Sequence, residues 1–136
     1  MLICIEGIDS AGKATQAKRL SHWLGVKLLA FPDYGSPTGK ILRGMLTGSL
    51  CLDERSDRNL SSDTARVLQS LMTVNRYEHI YELRNAKGSA TEHLVLDRYW
   101  LSGLVYGLAD GLEHDWLIHV NAALPVPDLT LYLDIY

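Results

Sequence analysis

Two glycines bracket four residues and a lysine follows at once in Gly7-Ile8-Asp9-Ser10-Ala11-Gly12-Lys13-Ala14-Thr15-Gln16. The apolar run Leu2-Ile3-Cys4-Ile5 precedes this segment, and a helix is predicted to open near Lys13. Between a strand and a helix, the G-x-x-x-x-G-K spacing cradles polyphosphate. Successive backbone N–H groups point inward, the helix N-terminus adds partial positive charge, and the lysine reaches the outer phosphates of a nucleotide. Gly7, Ser10, Ala11, Gly12, Lys13, Ala14 and Thr15 are the expected phosphate-binding residues. A plain strand–helix turn with an exposed lysine does not account for two glycines at this spacing. Asp9 places an acid inside an anion-binding loop, and Ala14 stands where a serine or threonine usually holds magnesium. Thr15 is one residue out of phase, turned roughly 100° away along a helix. Either magnesium is held mainly by nucleotide oxygens, water and another carboxylate, which its chemistry allows, or the site is impaired.

A second constellation, Asp97-Arg98, follows the apolar run Leu94-Val95-Leu96. At a strand end the carboxylate can orient magnesium-bound water or an acceptor, and the arginine can clamp a phosphate in a fork. A structural ion pair is the alternative. Met72 and Arg76 lie four apart on a predicted helix and share a face, which suits a planar ligand, although Arg76 could equally be a solvated helix residue. The five histidines (His22, His79, His93, His114 and His119) show no ligand spacing, and Cys4 and Cys51 form no metal motif. Cys4 reads as a buried free thiol in the first strand.

Alternating strands and helices must position these groups, which predicts a parallel sheet covered on both faces. Strands are predicted at Leu2–Ile5, Val26–Phe31, Leu94–Leu96 and Leu129–Leu133. Helices are predicted at Lys13–Leu24, from Thr38 through Leu46, from a cap at Ser62 or Asp63 to about Asn85, at Leu101–Leu108 and at Asp115–Ala123. Val67, Leu71, Val74 and Tyr81 are the expected apolar face of the long helix, and Leu50 to Asn59 reads as a surface loop.

At 136 residues, with 47% hydrophobic content, the chain suits a single domain with a real core. A net charge of −3 with scattered basic residues argues against nucleic acid or an anionic membrane as partner. No apolar run reaches transmembrane length and no signal peptide is seen, so a cytoplasmic, reduced protein is expected. The sequence stops within an apolar strand, just where another site-building loop would follow, which reads as a truncated product.

In this order the pieces resemble the thymidylate kinase family of nucleoside monophosphate kinases. The resemblance rests on Glu6 through Lys13 with Thr15-Gln16, Phe31-Pro32, Thr38-Gly39-Lys40, Asn75-Arg76-Tyr77-Glu78, Leu96-Asp97-Arg98-Tyr99, Ser102-Gly103 with Tyr106, and Leu124-Pro125 to Leu133. It implies an α/β three-layer P-loop kinase fold with a five-stranded parallel sheet, here ending before the lid and last strand. It also implies transfer of the γ-phosphoryl group of ATP to thymidine monophosphate with Mg2+, and commonly a homodimer formed through helices. Carried over, Lys13, Asp97 and Arg98 would be catalytic, with Lys13 and the loop amides on ATP. Asp97 would lie near magnesium, through water, and near the acceptor phosphate held by Arg98. Asp9 would meet the acceptor 3′-hydroxyl, Arg76 the thymine edge, and Tyr106 the underside of the sugar. Phe31, Met72, Ser102 and Gly103 complete the implied acceptor site.

The chain departs from the family pattern at several points. Met72 stands where a phenylalanine often stacks on thymine, Tyr34 where an arginine often contacts the acceptor phosphate, and Ser10 where some members carry a catalytic loop arginine. With no lid arginine in the sequence either, the chain is expected to bind nucleotides better than it catalyses, since such an arginine contributes about 10³–10⁵ in rate. A deoxynucleoside kinase and a catalytically silent nucleotide-binding homologue are the alternative readings.

Overall fold

The computed structural model describes residues 1–50 and 61–134. Four strands form one parallel sheet: β1 (Leu2–Gly7), β2 (Lys27–Ala30), β3 (Leu94–Asp97) and β4 (Leu129–Leu133). Their spatial order is β2-β3-β1-β4, so the strand carrying the phosphate loop lies beside the strand carrying Asp97-Arg98. In register, Ile5 of β1 pairs with Asp97 and Leu131. The described sheet thus holds four of the five strands implied by the resemblance.

Period-two alternation sends the strand side chains into two cores. Leu2, Cys4, Leu29, Phe31, Leu94 and Leu96 pack on one face with Leu83, Ala86 and Tyr99, while Ile5 and Val95 pack on the other with Ala17. Each fully buried aliphatic chain contributes about 1.5–3 kcal/mol. The second face is covered by α1 (Lys13–Leu24), which stops at Gly25 in a left-handed cap. The remaining helices are α2 (Pro37–Leu46), α3 (Ser62–Tyr77), α4 (Ile80–Ala86), α5 (Trp100–Ala109) and α6 (His114–Asn121). A third core of Ala65, Leu112 and Leu117 joins α3 and α6.

The long helix predicted to Asn85 is two helices, α3 and α4, with the break at Glu78-His79. Its N-cap is Ser61 rather than Ser62 or Asp63, and the Ser61 side chain accepts the Thr64 amide at 3.2 Å. The predicted apolar face is also corrected. Val67, Val74 and Tyr81 are exposed, whereas Ala65, Leu68, Gln69, Thr73, Asn75 and Arg76 are buried. Helix α3 turns a largely polar face inward because that face lines a cavity and anchors a neighbouring loop. The predicted loop at Leu50 to Asn59, from Cys51 on, lies outside the described residues, as does Cys51 itself. Cys4 is the expected buried free thiol, and burial followed by the nearby Glu6 carboxylate pushes its pKa up.

Candidate nucleotide and acceptor site

β1 delivers the loop from the middle of the sheet, and close backbone approach explains its first glycine. A Cβ on Gly7 would lie 2.5 Å from the Leu133 carbonyl oxygen of β4. Gly12, at φ +80°, caps α1 with no side-chain hydrogen bond, and the first turn of α1 holds no acidic residue. The helix therefore opens with N–H donors and no side-chain anion upon them, the arrangement that favours a phosphate. Lys13 is buried and donates from Nζ to the Ile8 carbonyl, so its ammonium arches across the loop. Ala14 and Thr15 are exposed on the first turn of α1.

The second predicted constellation meets this loop. Arg98 takes φ +64°, and its amide donates to the Ile5 carbonyl at 3.0 Å, fastening the end of β3 to β1. Its guanidinium donates to Ser102 Oγ at 3.2 Å and to the Asp9 carboxylate. Tyr106 of α5 donates its phenol to the other Asp9 oxygen at 3.0 Å. That hydrogen bond, then Arg98, holds the Asp9 carboxyl below the usual carboxylate range. Burial pushes the Asp97 carboxyl up against the opposing pull of Arg98 and Lys13. Asp97 makes no side-chain hydrogen bond among the described residues, which suits a single carboxylate facing a hydrated cation.

Glu6 holds this assembly together, and the sequence reading missed it. Its carboxylate is 3% exposed and accepts the Tyr99 amide at 2.9 Å, the Ser102 hydroxyl at 2.6 Å and the Ser102 amide at 3.3 Å. An acid at the end of an otherwise apolar strand was the available signal. It pins the start of α5, and with it Arg98, to the root of the phosphate loop.

A cavity of about 460 Å³ opens between α3, α5 and the segment after β2. It brings together Asp9, Phe31, Met72, Arg76, Arg98, Ser102, Gly103 and Tyr106, all anticipated, and Tyr34, noted where an arginine is often found, with Gln69 and Asp110, which were not anticipated. A second cleft, lined by Gly7, Asp9, Arg98, Ser102 and Tyr106, continues toward the phosphate loop. Gly12, Lys13, Ala14 and Thr15 line neither space, so the loop's helix end stands apart from the larger cavity.

Arg76 is 4% exposed, and its Nη atoms donate to Asn121 Oδ1 at 3.3 Å and to the Tyr99 carbonyl at 3.2 Å. Its Nε has no partner among the described residues, and burial pushes its pKa down to about 10. Gly103 makes room for it: a Cβ there would lie 2.7 Å from Nη2. The wall containing Tyr34 is held by Asn75, which accepts the Asp33 amide at 2.8 Å and donates to Ser36 Oγ at 2.8 Å. His79, at the break between α3 and α4, adds a 2.9 Å contact to Asp33.

The sequence profile of the thymidylate kinase family matches residues 5–136. The chain belongs to the thymidylate kinase family. It is 34% identical to a probable thymidylate kinase of Pyrococcus horikoshii, with 98% of this chain and 64% of that protein covered. It is 32% identical to the thymidylate kinase of Dictyostelium discoideum, covering 98% of this chain and 57% of that one. The solved thymidylate kinase structure from Candida albicans superposes with a TM-score of 0.75 at 31% identity, covering 98% of this chain and 62% of its own. The chain therefore spans less than two thirds of the length of these thymidylate kinases.

Proposed function

We propose that this chain phosphorylates thymidine monophosphate at the expense of ATP. The carrying observation is the junction of the phosphate loop and the acceptor cavity through Asp9, Arg98 and Tyr106. A site that only bound a nucleotide would need the loop alone. Here an acid from the loop and an arginine from the neighbouring strand both line the adjacent cavity. A cation beside a carboxylate suits a substrate with a phosphate on one side of its sugar and a free hydroxyl on the other.

In this reading Lys13 and the amides from Gly7 to Thr15 hold the ATP phosphates, and Arg98 holds the acceptor phosphate. Asp9 receives the 3′-hydroxyl, and Tyr106 packs under the sugar. Met72, Phe31, Ser102 and Gly103 enclose the base and sugar, with Arg76 contributing through its unpartnered Nε. Asp97 would hold magnesium through water. Bound there, the metal would neutralise phosphate charge. Residues 1–136 act as one domain. The exposed Val67 and Val74, on one outward face of α3, support a homodimer built through helices. The buried Cys4 thiol, in no disulfide among the described residues, supports a reducing, cytoplasmic setting, and the net charge of −3 supports neither nucleic acid nor an anionic membrane as partner.

The test is a coupled assay of ATP consumption with thymidine monophosphate, thymidine and the uridine and cytidine monophosphates. Turnover of the thymidine monophosphate supports the reading. Phosphorylation of thymidine but not of its monophosphate overturns it in favour of a nucleoside kinase. Tight nucleotide binding without turnover of any acceptor points to a silent homologue.

A further inference from the structure

The acceptor cavity is also lined by polar groups that the proposed thymidine monophosphate site does not use. Gln69 is 4% exposed and lines the cavity, yet its side-chain amide makes no hydrogen bond among the described residues. Asp110, at the C-terminal cap of α5, lines the same cavity and its carboxylate is likewise without a partner among the described residues.

Helix packing brings these two groups level with each other. Arg76 of α3 lies against Gly103 of α5, and Ala65 of α3 packs with Leu112 just beyond α5. The two helices are therefore antiparallel, which puts Gln69, seven residues before Arg76, and Asp110, seven after Gly103, toward the same end of the cavity. The Arg98 guanidinium is fixed at the other end of the cavity by Ser102. From Ser102 to Asp110 the helical rise is about 12 Å. Between the ends lies Met72, an unbranched side chain that adapts to the shape of what it covers. The cavity thus continues past the level of Arg76 to a second polar end.

We propose, on the basis of the acceptor site argued above, that Gln69 and Asp110 read a purine edge and admit deoxyguanosine monophosphate as a second acceptor. A carboxylate is an acceptor-only group with two oxygens, so it is satisfied by two adjacent N–H donors. Guanine presents that pair on its N1 and N2, beside an O6 acceptor for the Gln69 amide. Thymine and cytosine lack such adjacent donors, and adenine offers one amino group beside a bare ring nitrogen. The phosphoryl transfer is unchanged. An acceptor phosphate oxygen bonds to the γ-phosphorus of ATP as the bond to the β,γ-bridging oxygen breaks. The electron pair leaves with ADP, and any proton on the acceptor phosphate passes to solvent.

The test is calorimetric binding of the thymidine, deoxyguanosine, deoxyadenosine and deoxycytidine monophosphates, followed by product analysis after incubation with ATP. Deoxyguanosine monophosphate is expected to bind within about tenfold of thymidine monophosphate, and the other two more weakly. In Asp110→Asn and Gln69→Leu, the guanine-to-thymine affinity ratio is expected to fall about tenfold or more, a ratio that partial misfolding does not move. Binding of thymidine but not deoxyguanosine monophosphate overturns this inference alone. So does equal weakening of both ligands in the two variants. Binding of neither overturns it together with the acceptor site on which it rests.

Discussion

Tyr106 donates its phenol to Asp9 at 3.0 Å, tying the middle of α5 to the inside of the phosphate loop. The acid in the loop is thus held toward α5 and the cavity, while Lys13 arches over the loop to the Ile8 carbonyl. Tyr106→Phe removes the hydrogen bond and keeps the ring. It is expected to raise the acceptor KM about 3- to 10-fold with little change in the ATP KM. Steady-state kinetics in both substrates checks this, and an equal rise in both constants would count against the assignment of Asp9.

Lys13→Ala removes the one side-chain cation that reaches across the loop to Ile8. The expected loss of ATP affinity is about 10- to 100-fold, the worth of a charge-assisted hydrogen bond. Titration with a fluorescent ATP analogue measures it, and unchanged affinity would contradict the phosphate-loop assignment.

Asp97 is the expected protein contact to hydrated magnesium, and its carboxylate lies close enough to Lys13 and Arg98 to feel both charges. Asp97→Asn should shift the magnesium dependence of turnover to higher concentrations, by about tenfold or more, because a neutral amide attracts the cation less. A magnesium titration at saturating ATP reads this directly.

Glu6→Gln tests the brace between β1 and α5. The amide keeps the size and one oxygen for the Tyr99 and Ser102 amides, which share Oε1. It removes the negative charge, however, and puts an NH2 where the other oxygen accepts the Ser102 hydroxyl. A loss of about 1–3 kcal/mol in chemical denaturation is expected. The acceptor KM should rise as well, since Arg98 immediately precedes the pinned Tyr99 amide.

Acid sensitivity should centre in part on Asp128. Its carboxylate accepts from Lys87 Nζ at 2.6 Å, the Leu2 amide at 2.7 Å and the Gly88 amide at 3.1 Å. These bonds, Lys87 first, hold its carboxyl well below the usual range. The unfolded chain therefore binds this proton at higher pH than the folded one. The stabilisation is complete above the ordinary carboxylate pKa of about 4 and is lost as pH falls below it. Thermal melts of wild type and Asp128→Asn should differ most near neutrality and converge in acid.

Much of this site was legible before any coordinates. The phosphate loop, the Asp97-Arg98 strand end and the Gly25 stop rest on local requirements: glycines for close approach, apolar alternation for strands, a left-handed cap after a helix. Such signals lie within a few residues of the features they specify, so spacing alone determined them. The inner face of α3 was not legible. Val67 and Val74 follow helical spacing as well as any core residues, yet they face outward, because the neighbours of α3 are a cavity and the Asn75-anchored loop. The brace from Glu6 to Tyr99 spans 93 residues, and the meeting of Gln69 and Asp110 in one cavity depends on the packing of two helices. Pairings at that separation follow from which strands and helices become neighbours. Only the tertiary structure decided that, and with it which polar residues would be left inside without a partner.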